Sequence, residues 1–164
     1  MLAKSIASKG DDHKMRALAT YWLAESFNRQ TKNTEALQTY NQFLTTAGAY
    51  NTKEYRLANY NMGYIYFKQK NYPDAVKCFN LFIDRPTDDT RFAVDALLRV
   101  GDCFFAQRDF QRAISSYNNA FELSANTNEY AQYQKGISHG LINQQQEKIR
   151  SEEHTSELQS LAYL

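Results

Sequence analysis

The chain has 164 residues and a formal net charge of +1, with 43% hydrophobic and 23% charged residues. This length supports one domain with a continuous core, and the composition is that of a globular rather than a disordered protein. With so small a net charge, the chain has no strong overall field to steer nucleic acid or an anionic membrane toward it. No stretch approaches the roughly 18 apolar residues that a membrane span needs.

The sequence predicts seven helices. Its composition favours this fold class, because it has 12 Tyr and 10 Phe but only 2 Pro and 6 Gly. Few helix breakers and many aromatic residues suit long helices that pack through large side chains. Leu2 and Ile6 share a helical face and are interpreted as the remnant of a preceding helix. In chain order, the predicted helices span residues 13–30, 33–47, 52–69, 73–84, 89–107, 110–123 and 127–143.

A spacing pattern recurs three times along these helices. Each copy starts with a small residue, and an aromatic residue follows it 3 positions later. An alanine comes 9 positions after that aromatic residue, and two further core residues follow in steps of 4 and 3. Steps of 3 and 4 place side chains on one helical face, whereas the step of 9 crosses a turn, so each copy is a helix, a turn and a helix. The small residues are expected to face the alanines and to let the two helices approach closely. The copies are Ala24, Phe27, Ala36, Tyr40 and Phe43; Gly63, Tyr66, Ala75, Phe79 and Phe82; and Gly101, Phe104, Ala113, Tyr117 and Ala120.

A fourth copy begins near Asn128, with Gly136 at the position of Gly101, and its second helix is expected to start near Gln146. It is interrupted at residue 150, because residues 150–160 read RSEEHTSELQS and resemble a translated sequencing adapter. A segment of this kind does not belong to the native fold. The expected organisation is a repeat domain at residues 1–149 and a non-native tail at residues 150–164, in a fragment of a longer protein.

The pattern resembles the tetratricopeptide repeat, whose signature is a Leu-Gly pair, an aromatic residue, and then alanine with an aromatic residue four positions later. The pairs here are Leu23-Ala24, Met62-Gly63 and Val100-Gly101, and the copies are offset by 39 and 38 residues. The resemblance implies an all-α, right-handed solenoid of three full repeats and a truncated fourth. It also implies a protein–protein interaction scaffold, part of a long bacterial repeat protein in the cytoplasm or the cell envelope.

A solenoid presents a concave surface lined by the first helix of each hairpin. The inward positions lie three before, one after and four after the small residue, and they predict an aromatic-rich groove for a protein or peptide partner. Tyr60, Tyr64 and Phe105 are the best candidate anchors, expected to be partly exposed along one concavity. The alternative is that these rings pack against neighbouring helices. The candidate site residues are Tyr21, Glu25, Asn28, Tyr60, Tyr64, Phe67, Leu98, Asp102, Phe105 and Tyr133.

Glu25 and Asp102 on this surface would repel a terminal carboxylate, so recognition of a peptide C-terminus is not expected. A second interpretation is an RNA-binding helical repeat, since aromatic rings can stack on bases. It would need basic residues tracking a backbone, but those present are scattered among acidic ones. A third, weaker interpretation is a regulatory domain of a larger enzyme.

No catalytic residues, metal site or cofactor are expected, because no nucleophile or metal-ligand set converges. His139 stands at the position of Phe104 in the third copy and is expected to pack in the core. Cys78 and Cys103 are interpreted as small apolar core residues rather than reactive thiols.

Overall fold

The computed structural model describes residues 2–84 and 90–161, with side chains described for residues 12–84, 90–150 and 152. The chain divides into two compact units, Met1–Asp89 and Thr90–Leu164. In the described residues the structure is all-α, as predicted, and none of the described helices combines the length and hydropathy needed to cross a membrane. The helices are α1 (Leu2–Arg29), α2 (Asn33–Thr45), α3 (Glu54–Lys68), α4 (Tyr72–Ile83), α5 (Thr90–Ala106), α6 (Phe110–Leu123) and α7 (Glu129–Leu161).

The five inner helices agree with the predicted spans to within two residues, and the predicted start of the fifth at residue 89 lies outside the described residues. The two outer helices are longer than predicted. α1 runs without interruption for 28 residues, so Leu2 and Ile6 belong to it and not to a separate preceding helix. Gly10 is the one glycine in α1, which has no proline, and a lone glycine costs about 1 kcal/mol, which does not end a helix.

α7 is a single helix of 33 residues, so the predicted second helix near Gln146 is not formed. The reason is visible in the sequence, because residues 141–161 contain neither proline nor glycine. Without a residue that favours a left-handed or non-helical backbone, the chain has no local signal for a turn. The segment that resembles an adapter therefore continues α7, and its side chains beyond residue 152 lie outside those described.

The three hairpin turns share one backbone conformation. Each has a non-glycine residue in the left-handed region, with φ of 59°, 58° and 61°. The next residue then donates its N–H to a carbonyl five residues back, at 2.9–3.0 Å, which satisfies a carbonyl at the helix end. Asp109 also caps α6, since its Oδ1 accepts the N–H of Arg112 at 3.1 Å. The left-handed residues are Thr31, Lys70 and Arg108.

Each helix packs mainly on its sequence neighbour. In the first unit α1 packs on α2, α3 on α4, and α2 also on α3; in the second unit α6 packs on both α5 and α7. The buried residues of the first core include the repeat positions Ala24, Ala36, Tyr40 and Phe43. Those of the second include Ala113, Tyr117 and Ala120. The predicted hairpin alignment is therefore confirmed.

An aromatic ring covers the glycine in two of the hairpins. A Cβ atom added at Gly63 would lie 2.8 Å from Cδ1 of Phe79, and one added at Gly101 would lie 2.5 Å from Cε1 of Tyr117. The atoms nearest the glycine thus belong to the aromatic residue four positions after the alanine, and not to the alanine itself as expected. The missing side chain makes room for a flat ring between the two helices.

Candidate functional site

Tyr21 and Leu98, two of the predicted groove residues, are core residues. Tyr21 is only 4% exposed, and its ring meets those of Tyr40 and Phe43 at centroid distances of 6.0 and 5.4 Å. Leu98 is 7% exposed and belongs to the core of the second unit. The repeat register predicts that both residues lie on an exposed inward surface, but neighbouring helices bury both side chains.

Tyr60 and Tyr64 are half-buried and take part in the packing of their own hairpin. The ring of Tyr64 lies 5.4 Å from that of Phe79, and the ring of Tyr60 lies 5.1 Å from that of Phe82 on α4. These edge-on and tilted geometries are those that favour aromatic pairs. The two rings thus keep part of their surface exposed while they pack within the α3–α4 hairpin. Phe67 is similarly half-buried beside Tyr72, at a centroid distance of 6.1 Å, and Asn28 is half-buried on α1.

Glu25 joins three helices of the first unit instead of facing an open groove. Its Oε1 accepts hydrogen bonds from the hydroxyl of Tyr40 on α2 and from the side-chain amide of Asn61 on α3. Asn61 Nδ2 also lies 3.4 Å from the hydroxyl of Tyr21. Burial and the hydrogen bond to Glu25 raise the pKa of Tyr40 well above its usual value, so this phenol stays protonated and donates.

Asp102 has the same role in the second unit. Its Oδ1 accepts from the hydroxyls of Tyr117 on α6 and Tyr130 on α7, both at 2.8 Å, and its Oδ2 lies 2.5 Å from Nη1 of Arg99. Burial, together with the nearby Asp102, raises the pKa of both tyrosines. We call Arg99, Asp102, Tyr117 and Tyr130 the Asp102 cluster.

The two acidic residues reveal a paired signal within the repeat. In the first and third copies an acid follows the small residue, and a tyrosine lies 15 residues after that acid. In the second copy the same two positions hold Tyr64 and Phe79, which pack ring against ring. The acid is thus present where a hydroxyl can reach it. This correlation is readable in the sequence and would have assigned Glu25 and Asp102 to the interior.

Phe105 lines an open cleft within the second unit, where the end of α5 and the start of α6 lie beside α7. The cleft has a volume of about 510 Å³, and its apolar floor includes Phe110 and Leu141, the Phe105 and Phe110 ring centroids lying 5.4 Å apart. We call it the Phe105 cleft. Tyr133, also on α7, is 66% exposed. The residues that line the Phe105 cleft are Phe105, Ala106, Arg108, Phe110, Leu141, Gln144, Gln145 and Lys148.

His139 is exposed on α7, so the prediction that it packs in the core is wrong. Ser138, which is fully buried, occupies the inward face of α7 instead. Phe104 is the equivalent residue of the third hairpin, and it packs against α6, the second helix of that hairpin. In the described part of the chain, no second helix follows α7 to cover His139. Consistently, a Cβ atom added at Gly136 would meet nothing within 4 Å.

Both cysteines are buried on helices, as expected for small apolar residues. Burial, with a smaller effect of Asp74, raises the pKa of the Cys78 thiol to about 11. Burial, with Asp102 adjacent, raises that of Cys103 to about 12. A thiol with so high a pKa is neutral at physiological pH and is a poor nucleophile. Among the described side chains, no three His, Cys, Asp or Glu residues come together in a group that could hold a metal ion.

Comparisons with known proteins agree with this architecture. Two family models described as tetratricopeptide repeat match residues 18–47 and 60–126. The human intraflagellar transport protein 88 homolog (Homo sapiens) is 27% identical over 110 residues, which is 63% of this chain and 12% of that protein. A solved structure of the first TPR of Spaghetti (RPAP3) bound to the HSP90 peptide SRMEEVD matches with a TM-score of 0.62 and 22% identity, covering 79% of this chain and 95% of that chain. Because the matched segments coincide with the hairpins described above, the chain belongs to the tetratricopeptide repeat family.

Proposed function

We propose that the chain is a protein-interaction scaffold and that its second unit binds a peptide in the Phe105 cleft. The observation that carries this proposal is an open, apolar-floored cleft of about 510 Å³ on a compact helical unit. That volume falls in the range of about 300–1,000 Å³ typical of ligand sites, and a half-buried aromatic ring in a concave site is a common energetic anchor. A protein of the same fold has been solved with a bound peptide, which supports the class of partner.

The basic residues favour this proposal over RNA binding. Arg56 stacks on Phe82 at 4.7 Å from the ring centroid, Arg99 pairs with Asp102, and Arg112 pairs with Asp109. Arg56 and Arg99 are engaged by partners inside their own unit and are poor candidates for tracking a phosphate backbone, which requires a row of available cations. A regulatory or enzymatic role has no comparable support, because Glu25 and Asp102 are engaged by tyrosine hydroxyls.

The proposal is tested by selecting peptides and then removing the anchor ring. The probe is a displayed library of seven randomised residues between Gly-Ser linkers, selected on the whole chain. A selected peptide is then measured by fluorescence anisotropy. Phe105→Ala should weaken its binding by about 2 kcal/mol or more, which is roughly thirtyfold, because the ring supplies the floor of the cleft.

The matched control is Phe67→Ala, which removes the same side chain at the equivalent repeat position of the first unit. It should leave peptide affinity within about twofold, an effect of at most about 0.5 kcal/mol. If Phe105→Ala binds as well as the parent chain while remaining helical by circular dichroism, the cleft is not the binding site. The bacterial origin and the cytoplasmic or envelope location implied by the resemblance stay predictions.

We further propose that residues 1–149 are the repeat domain and that residues 150–164 are a non-native extension. Support comes from the exposure of residues 143–150 and from Glu152, whose pairing with Lys148 at 3.8 Å joins two exposed side chains. Exposed ion pairs of this kind contribute little. A chain ending at Ile149 should therefore keep its free energy of unfolding within about 0.5 kcal/mol in a urea titration. A loss above about 1 kcal/mol would show that the extension packs on the domain.

A further inference from the structure

We infer that the Phe105 cleft selects acidic peptides, namely a bulky apolar side chain flanked by Asp or Glu, because two exposed cations, Arg108 and Lys148, line it beside less exposed apolar residues. This inference rests on the proposed function and adds the chemical class of the partner. It concerns carboxylates on side chains within a peptide. It does not require a free C-terminus.

The floor of the cleft determines the apolar part of the ligand. Phe105, Phe110 and Leu141 come from three different helices, α5, α6 and α7, so the floor is set by the packing of the unit as a whole. Phe110 is 7% exposed and fixed against Phe105. A cleft formed by two rings and a leucine side chain best accepts another apolar side chain, since burying apolar surface is the main favourable contribution there.

The rim determines the charged part. Two of the eight lining residues, Arg108 and Lys148, are cations, and none is acidic. The backbone of Arg108 is fixed by its turn, because it adopts φ of 61° and its N–H donates to the carbonyl of Phe105 at 3.0 Å. Both side chains are exposed, so an approaching carboxylate would pair with them without a large desolvation cost.

Two acids next to these cations, Asp109 and Glu152, leave the positive charge of the cleft largely in place. Asp109 is held by Arg112, with an oxygen–nitrogen distance of 2.5 Å, and the hydrogen bonds from Arg112 lower the pKa of its carboxyl. Its charge is thereby offset within the α6 N-terminus. Glu152 pairs with Lys148 at 3.8 Å, and the two side chains are 67% and 76% exposed. An exposed pair of this kind is weak and can be replaced by a carboxylate of the ligand.

The test uses the same displayed library, selected on the whole chain and on a charge-reversed variant. Both ends of every displayed peptide are joined to linkers, so terminal carboxylates cannot contribute. The parent chain should enrich peptides with an apolar residue flanked by Asp or Glu. The Arg108→Glu, Lys148→Glu variant should lose this preference and bind the enriched acidic peptides at least about tenfold more weakly. The reason is that two attractive contacts between a cation and a peptide carboxylate become two repulsive contacts between carboxylates.

The matched control is the Lys70→Glu, Lys77→Glu variant, which changes the net charge by the same amount in the first unit. Lys70 occupies the turn position equivalent to Arg108, with φ of 58°, and both control lysines are exposed. This variant should keep the acidic preference and an affinity within about twofold of the parent, since its charges lie outside the cleft. Comparison of the two variants separates local contacts from overall charge.

The outcomes distinguish the two proposals. Enriched apolar peptides without an acidic bias, lost on Phe105→Ala, would overturn the acidic preference and leave the cleft as the binding site. No enrichment that depends on Phe105 would overturn both. If the charge-reversed variant does not fold, the salt dependence of the parent chain provides the test. Raising NaCl from about 0.05 to about 0.5 M should lower its affinity for acidic peptides several-fold. An unchanged affinity would refute the inference.

Discussion

Replacing Gly101 by leucine is expected to lower the free energy of unfolding by about 2 kcal/mol or more. Even a Cβ atom at this position would lie 2.5 Å from Cε1 of Tyr117, a ring that is fully buried. The ring cannot move aside without losing its hydrogen bond to Asp102 or opening the α5–α6 hairpin. Urea unfolding of the whole chain, followed by circular dichroism, would measure the change.

The structure contains a matched control for this substitution. Gly136 holds the equivalent position in the fourth copy, where an added Cβ atom would meet nothing within 4 Å. Gly136→Leu should therefore be neutral or stabilising by up to about 1 kcal/mol, because leucine favours a helix more than glycine does. The experiment compares a destabilising substitution with one that is neutral or stabilising. Equal effects of the two substitutions would mean that the ring-over-glycine contact has no energetic role.

Removing the carboxylate of Asp102 is expected to cost about 2–4 kcal/mol. Asp102→Ala leaves the hydroxyls of Tyr117 and Tyr130 without their shared acceptor and separates Arg99 from its closest carboxylate. Since these groups come from α5, α6 and α7, the loss should affect the whole second unit. The measurement is the urea midpoint of the variant, together with the near-ultraviolet signal of the tyrosines.

Asp95→Ala is the control for this second experiment. The Asp95 carboxylate also pairs with Arg99, but at 3.7 Å and with a side chain that is 34% exposed. Removing it should cost less than about 1 kcal/mol, because this longer pair is more exposed to solvent than the Asp102 carboxylate. Asp102→Asn should fall between the two, because the remaining amide oxygen still accepts one tyrosine hydroxyl. If Asp102→Ala costs no more than Asp95→Ala, the Asp102 cluster does not hold the unit together.

The hairpins could be predicted from the sequence because their information is local. The steps of 3, 4 and 9 define helical faces and turns within one copy, and Asp109 caps the helix that it precedes. The ends of α1 and α7 were harder to predict, since a helix stops where a breaker or a cap stops it. Gly10 is too weak a breaker, and residues 141–161 contain none.

The site was less predictable than the fold because exposure depends on what the neighbouring helix contributes. The register placed Tyr21 and Asp102 on an inward surface, but the rings of α2 and α6 determine that one is buried and the other is hydrogen-bonded. The Phe105 cleft needs Leu141 and Lys148, which follow Phe105 by more than thirty positions in the chain. No spacing within a single repeat connects them, so their meeting requires the packed unit.

The pairing of each helix with its sequence neighbour also determines how the chain can reach its native state. Gly101 meets Tyr117, and Asp102 meets the same residue, after a separation of about fifteen positions, closed by a short turn. The entropy lost in closing so small a loop is modest, and proteins dominated by such near-sequence contacts reach their transition state quickly. We therefore expect ordering to begin within a single hairpin and, inside the first unit, to spread from one hairpin to the other through the packing of α2 on α3.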